Sequence, residues 1–144
     1  MARAFTNKVA LVTGVGPGLG QGVASAFARE GASVVVCDVN AEAVEATRKA
    51  VEAEGAACLA LRCDVSNSDE VRAMFKSTLE RFGTLDILVN NAALTPNRPA
   101  DTERRNKLYG YNSTPVPRDS LGFTSEITDE EWHRCWGVNV HGLF

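Results

Sequence analysis

No stretch of this sequence approaches the roughly 18–20 consecutive apolar residues that a membrane helix needs. The first apolar run, Val9 through Val12, is short and breaks at Thr13 and Gly14. It has neither the longer apolar core nor the small-residue cleavage site of a signal peptide. No Cys-x-x-Cys occurs among Cys37, Cys58, Cys63 and Cys135. Cys37 and Cys58 lie inside apolar runs, where a cysteine acts as a small hydrophobe, so the four read as buried reduced thiols of a cytoplasmic protein. The two histidines, His133 and His141, lack the spacing of a metal site. No basic excess exists either. Lys plus Arg number 15 against 18 Asp plus Glu, a net −3, which argues against nucleic acid or an anionic membrane as partner. There is no internal repeat.

What is present is one domain's worth of chain. The 144 residues are 44% hydrophobic and 23% charged, as in an ordinary soluble globular protein. Apolar, β-branched runs alternate with helical patterns. Residues 8–13, 33–38, 57–63 and 85–89 read as four strands. Between them, Leu19, Val23, Ala26 and Phe27 recur at helical spacing. Residues 41–54 are rich in Ala, Glu, Lys and Arg and stop at Gly55. A third helix has Ser66 as its expected cap, Asp69 and Glu70 in its first turn, and Val71, Phe75, Leu79 and Phe82 as its expected inner face. Continuous apolar strands alternating with helices mean parallel strands buried on both faces. The expected fold is therefore α/β, a Rossmann-like doubly wound parallel sheet represented by its first four strands.

Residues 94–127 carry four prolines and no clear period, and read as a long loop insertion. It is locally basic, which suits a lid or subunit-contact arm as well as a solvated insertion. Thr128 and Glu131 then form a capping box before a last helix containing Trp132, Cys135, Trp136 and Asn139.

Thr13, Gly14, Gly16, Pro17, Gly18, Leu19 and Gly20 lie between the first strand and first helix. Phosphate needs close backbone approach and free N–H donors, and glycine gives both. The strict Gly-x-Gly-x-x-Gly spacing fails, because Leu19 holds its sixth position. Thr-Gly-x-x-x-Gly-x-Gly fits. A plain tight turn is the bland alternative. A Walker A loop is excluded, since no Gly-Lys-Ser/Thr follows. Asp38 ends the second strand, 18 residues after Gly20. An acid there accepts both ribose hydroxyls and repels a 2′-phosphate, which favours NAD over NADP. As a bland alternative it caps the following turn.

This set of motifs resembles the short-chain dehydrogenases/reductases. Residues 13–20 match that family's cofactor loop and Asp38 its ribose-binding acid. Asp64 and Val65 match the pair at the adenine edge. Asn90, Asn91, Ala92 and Ala93 match its Asn-Asn-Ala-Gly, with Ala93 in place of Gly, and Asn139 matches the Asn of its catalytic tetrad. Bland readings stay beside these: Asp64 as a turn cap, Asn90 and Asn91 as ties between strand ends, Asn139 as a surface or kink residue.

The resemblance implies hydride transfer between a nicotinamide and a carbonyl or alcohol substrate, by an enzyme that assembles with copies of itself. It also implies a Tyr as general acid/base, a Lys that lowers its pKa, a Ser on the substrate oxygen, and the Asn supporting a water. No Tyr-x-x-x-Lys is present, because Ser113 follows Tyr109 and Pro115 follows Tyr111 at that spacing. The expectation is an NAD(P)-binding N-terminal part spanning residues 1–144, inactive alone, that works with a C-terminal segment of the same enzyme. A catalytically silent NAD-binding module and a non-functional fragment are the competing readings.

Overall fold

The computed structural model describes residues 3–94, 106, 109–110 and 128–143. Four parallel strands form one sheet: β1 (Val9–Thr13), β2 (Ser33–Asp38), β3 (Cys58–Arg62) and β4 (Ile87–Val89). Their spatial order is β3-β2-β1-β4. The chain therefore steps outward from β1 through β2 to β3, then crosses back to place β4 on the other side of β1. Leu11 registers with Val35 on one side and Leu88 on the other.

Helices cover both faces. Residues of β1 and β2 alternate between the two layers, as strand geometry requires. Ala10, Val12, Val34 and Val36 pack with Ala24 and Ala28 of α1 (Leu19–Arg29) and Val44 and Val51 of α2 (Ala41–Ala53). Val9, Leu11, Val35 and Cys37 face the opposite way, onto Met74 of α3 (Ser68–Phe82). Burying each such aliphatic side chain contributes about 1.5–3 kcal/mol. This is the doubly wound, Rossmann-like architecture read from the strand–helix alternation.

Some local expectations change. Asn67, not Ser66, caps α3. Its extended backbone lets its side-chain oxygen accept from the Asp69 and Glu70 N–H groups. Ser66 is already engaged with Asp64. Leu79, assigned to the inner face, is 51% exposed, whereas Met74 and Thr78 are buried. Leu19 and Ala26 of α1 likewise face outward. Cys37 and Cys63 are buried free thiols, but Cys135 is exposed.

Most of the expected 94–127 insertion lies outside the described residues. Of those described within it, Asn106, Tyr109 and Gly110 are helical. The last helix, α4 (Asp129–Asn139), starts as expected with Thr128 and Glu131 in a capping box, and a 3₁₀ turn (His141–Leu143) follows. Among the described residues no helix is long and apolar enough to cross a membrane.

Candidate functional site

In an open α/β sheet, ligands bind outside the carboxyl ends of the strands where the strand order reverses. That point here lies between β1 and β4. The turn after β1 is tied down on both sides. The Gly14 N–H donates to the Cys37 carbonyl of β2 at 2.8 Å. Asn91 Nδ2 donates to the carbonyls of Thr13 at 3.1 Å and Gly14 at 2.8 Å. The Thr13 hydroxyl accepts from the N–H groups of Asn91 at 3.1 Å and Ala92 at 3.0 Å. Thr13 and Asn91 thus spend these polar groups on joining the two turns that flank the crevice.

Gly14 has φ +70°, and a Cβ on it would stand 2.5 Å from Ala92 Cα, so no side chain fits. Val15 is fully buried, and its carbonyl accepts from the buried Thr47 hydroxyl of α2 at 2.8 Å. Gly16 is half-buried, while Pro17, Gly18 and Leu19 are exposed. Gly18, at φ +125°, precedes α1 and provides no side-chain cap. A Cβ there would meet nothing within 4 Å. No side chain caps the start of α1, so none competes for its first N–H groups, which suits an anion. Gly20, one turn on, packs against the Gly14 carbonyl and Asn91 Nδ2.

Beside this turn lies a cleft of ≈ 200 Å³. Gly14 and Ala92 form its floor, Asp38 and Val39 one wall, and Cys63 through Ser66 the next. Ala93, Leu94, Arg134 and Val138 close it. Asp38 Oδ1 accepts from the Asn40 N–H at 2.9 Å. Its Oδ2 faces the glycine turn, 3.9 Å from where a Cβ on Gly16 would be. Asp64 Oδ1 accepts from both the N–H and the hydroxyl of Ser66, at 2.9 and 2.7 Å. The Ser66 bonds hold the Asp64 carboxyl below the usual carboxylate range, helped by the charges of Arg62 and Arg134. Both aspartates thus present acceptors to the cleft. Val65 lies alongside, its Cγ2 only 3.0 Å from where a Cβ on Gly142 would be.

Asn139 ends α4, and its side chain grips the backbone of Leu94. Oδ1 accepts from the Leu94 N–H at 2.7 Å, and Nδ2 donates to the Leu94 carbonyl at 3.2 Å. The amide therefore fixes the segment after β4 against α4. Nucleophilic chemistry does not come from the buried thiols, Cys63 at the cleft wall and Cys37 of β2. Burial pushes the Cys37 thiol up to about 12, and burial also raises Cys63. No cluster among the described residues could hold a metal ion.

Of the sequence-predicted residues, Gly14, Asp38, Asp64, Val65, Ala92 and Ala93 line the cleft, Thr13 and Asn91 tie its flanking turns together, and Gly16 to Gly20 belong to the turn beside it. Two residues were missed. Thr47 falls between Val44 and Val51 on the buried face of α2, a spacing that marked it as inward-facing but gave no hint of its bond to Val15. Arg134 reaches the cleft from α4, and no local pattern in the sequence signals that.

A family model described as short chain dehydrogenase matches residues 8–144. A (2S)-[(R)-hydroxy(phenyl)methyl]succinyl-CoA dehydrogenase subunit of Thauera aromatica is 44% identical over 138 residues, covering 96% of this chain and 46% of that protein. The solved structure of an NAD+-bound xylitol dehydrogenase superposes with a TM-score of 0.75 at 27% identity, over 96% of this chain and 45% of the other. A metagenomic short-chain oxidoreductase in complex with NADP superposes with a TM-score of 0.73 at 25% identity, over 96% of this chain and 52% of the other. The chain spans about half the length of the curated relatives it matches. With its parallel sheet, glycine turn and acid-lined cleft in the family's order, the chain belongs to the short-chain dehydrogenase family.

Proposed function

We propose that this chain binds a nicotinamide adenine dinucleotide, NAD in preference to NADP, and forms the cofactor half of an oxidoreductase acting on a small carbonyl or alcohol substrate. The observation that carries this reading is the uncapped start of α1 opening beside a cleft walled by Asp38 and Asp64. The α1 N–H groups would take the pyrophosphate. Asp38 would accept the ribose hydroxyls, and a second negative charge on that ribose would meet its carboxylate at short range. Asp64 and Val65 would take the adenine edge. Thr13 and Asn91 keep the two turns at the spacing the ligand needs, and Ala92 and Ala93 line its path.

When bound, the nicotinamide gives or takes a hydride. Asn139 is a positioning residue in this reading, because its side-chain amide holds Leu94 at the cleft wall. The Tyr-x-x-x-Lys pair and the Ser that would handle the proton are assigned to a C-terminal segment of the same enzyme. Association with that segment and with copies of the chain belongs to the same proposal. So does a cytoplasmic location, which the four free cysteines support. Residues 1–144 are read as the N-terminal part of one dinucleotide-binding domain.

The test is calorimetric titration of the protein with NADH and NADPH. Tighter binding of NADH is expected, and Asp38→Ala should shrink the preference about tenfold, or about 1.4 kcal/mol. An unchanged affinity ratio in the variant would reject the Asp38 assignment. A second reading, a catalytically silent NAD-binding module, is favoured by the lack of Tyr-x-x-x-Lys in these 144 residues. NADH binding without turnover of any alcohol or carbonyl, with every polypeptide of the native sample present, would select it.

A further inference from the structure

The cleft presents two carboxylates, Asp38 and Asp64, to a ligand class that is itself anionic, and the cation that meets them comes from α4. Arg134 lines the same cleft, and its charge acts on Asp64. Among the described residues it enters no ion pair or hydrogen bond. Its helix buries no residue of its own and is held at two points near its end. Gly137 brings α4 onto the 64–66 turn, where a Cβ would lie 3.4 Å from Ser66 Cβ. Asn139 clamps the end of the same helix to Leu94. Arg134 stands three and four residues before Gly137 and Val138, so it shares the helix face that meets this turn and the cleft.

We propose that Arg134 binds the adenine ring, its guanidinium plane packing against the base whose amino edge Asp64 accepts. This rests on the dinucleotide reading above and deepens it. Arg134 shares its end of the cleft with Asp64, Val65 and Val138, two apolar side chains and one acceptor, which is the lining a flat base with a polar edge requires. A guanidinium is planar and weakly hydrated, and it stacks on aromatic faces as a lysine ammonium does not. Asp38 holds the ribose side of the cleft, so a second phosphate there is not what Arg134 awaits. Its charge also offsets that of Asp64.

The experiment measures AMP binding by calorimetry and displacement of NADH by pyrophosphate, which carries charge without a base. Both are run on the wild-type protein, Arg134→Ala and Arg134→Lys. The side chain is exposed and makes no hydrogen bond or ion pair among the described residues, so the unliganded melting temperature should stay level. Arg134→Ala should weaken AMP by about five- to thirty-fold and leave pyrophosphate displacement within about twofold. Arg134→Lys should remain at least about threefold weaker than wild type for AMP, because charge without the plane restores only part of the contact. Unchanged AMP binding in Arg134→Ala, equal weakening of AMP and pyrophosphate, or full rescue by lysine would each overturn the proposal. If the wild-type protein binds neither AMP nor NADH, the dinucleotide reading falls and takes this one with it. Normal wild-type binding with an indifferent Arg134→Ala removes only the Arg134 assignment.

Discussion

Replacing Thr47 by Val tests how the glycine turn is held. The two side chains have nearly the same shape, so the substitution exchanges a hydroxyl for a methyl at a fully buried site. The hydroxyl donates to the Val15 carbonyl at 2.8 Å, and Val15 is itself fully buried. Removing the donor leaves a buried acceptor without this partner and beyond easy reach of water, which costs about 1–3 kcal/mol. The added methyl returns less than about 0.8 kcal/mol of that. A net loss of about 1–2 kcal/mol is expected, which for a chain of this size lowers the melting temperature by roughly 3–6 °C. The turn that carries Gly14 and Gly18 should also loosen, so NADH affinity should fall with stability. Urea unfolding at constant slope, thermal melting and NADH titration measure the three effects. Thr47→Ser is the control, since it keeps the hydroxyl and loses only a methyl. A Thr47→Val protein within about 0.5 kcal/mol of wild type would refute the reasoning. So would a Ser variant that loses as much stability as the Val variant.

Two further expectations concern ionisation. The Val9 N–H, and then the Lys8 ammonium, hold the Asp86 carboxyl below its ordinary range, and together these bonds fasten the start of β1 to the approach to β4. A carboxyl depressed in the folded state gives stability that is present above its unfolded pKa of about 3.9 and lost as pH falls through the lower folded value. Asp86→Asn should therefore be less stable than wild type at pH 7, with the gap in urea midpoint closing in acid. A gap unchanged at pH 2 would reject that account. The cysteines should separate by reactivity. Iodoacetamide at pH 8 should label exposed Cys135 in the folded protein and spare Cys37, whose thiol burial pushes up to about 12. The same shift gives stability that is complete below the ordinary thiol value of 9.0 and declines as pH rises towards about 12. Cys37→Ala should flatten this alkaline decline in urea midpoint, and an equally steep decline would count against it. Peptide mapping reads the labelling, and early modification of Cys37 would contradict the packing of β2.

Much of the molecule follows from short stretches of chain. The valine runs of β1 and β2 are apolar at every position because helices cover both faces of the sheet, so they mark parallel strands without reference to anything distant. The Thr128 and Glu131 capping box reads correctly because its bonds close within three residues. The glycine turn and Asp38 were legible for a similar reason. A turn that brings Gly14 against Ala92, and an acid at the end of the next strand, leave their mark in residue type and spacing. Local rules fail where two local solutions compete or where the partner is remote. Ser66 and Asn67 are both good caps, and Asn67 takes the role because the Asp64 carboxylate claims Ser66 first. Leu79 fits a helical stripe, yet the layer beneath α3 is met by Met74 and Thr78 instead. The bonds from Asn91 to the Thr13 and Gly14 carbonyls, from Thr47 to the Val15 carbonyl, and from Asn139 to Leu94 exist only once the crossovers have stacked their elements. Arg134 reaches the acid-lined cleft in the same way. Sequence by itself determined the strands, the helices and the glycine turn, because hydrogen bonding and burial periodicity act over a few residues. Tertiary structure alone decided what closes the cleft, because those walls come from segments that meet only across the sheet.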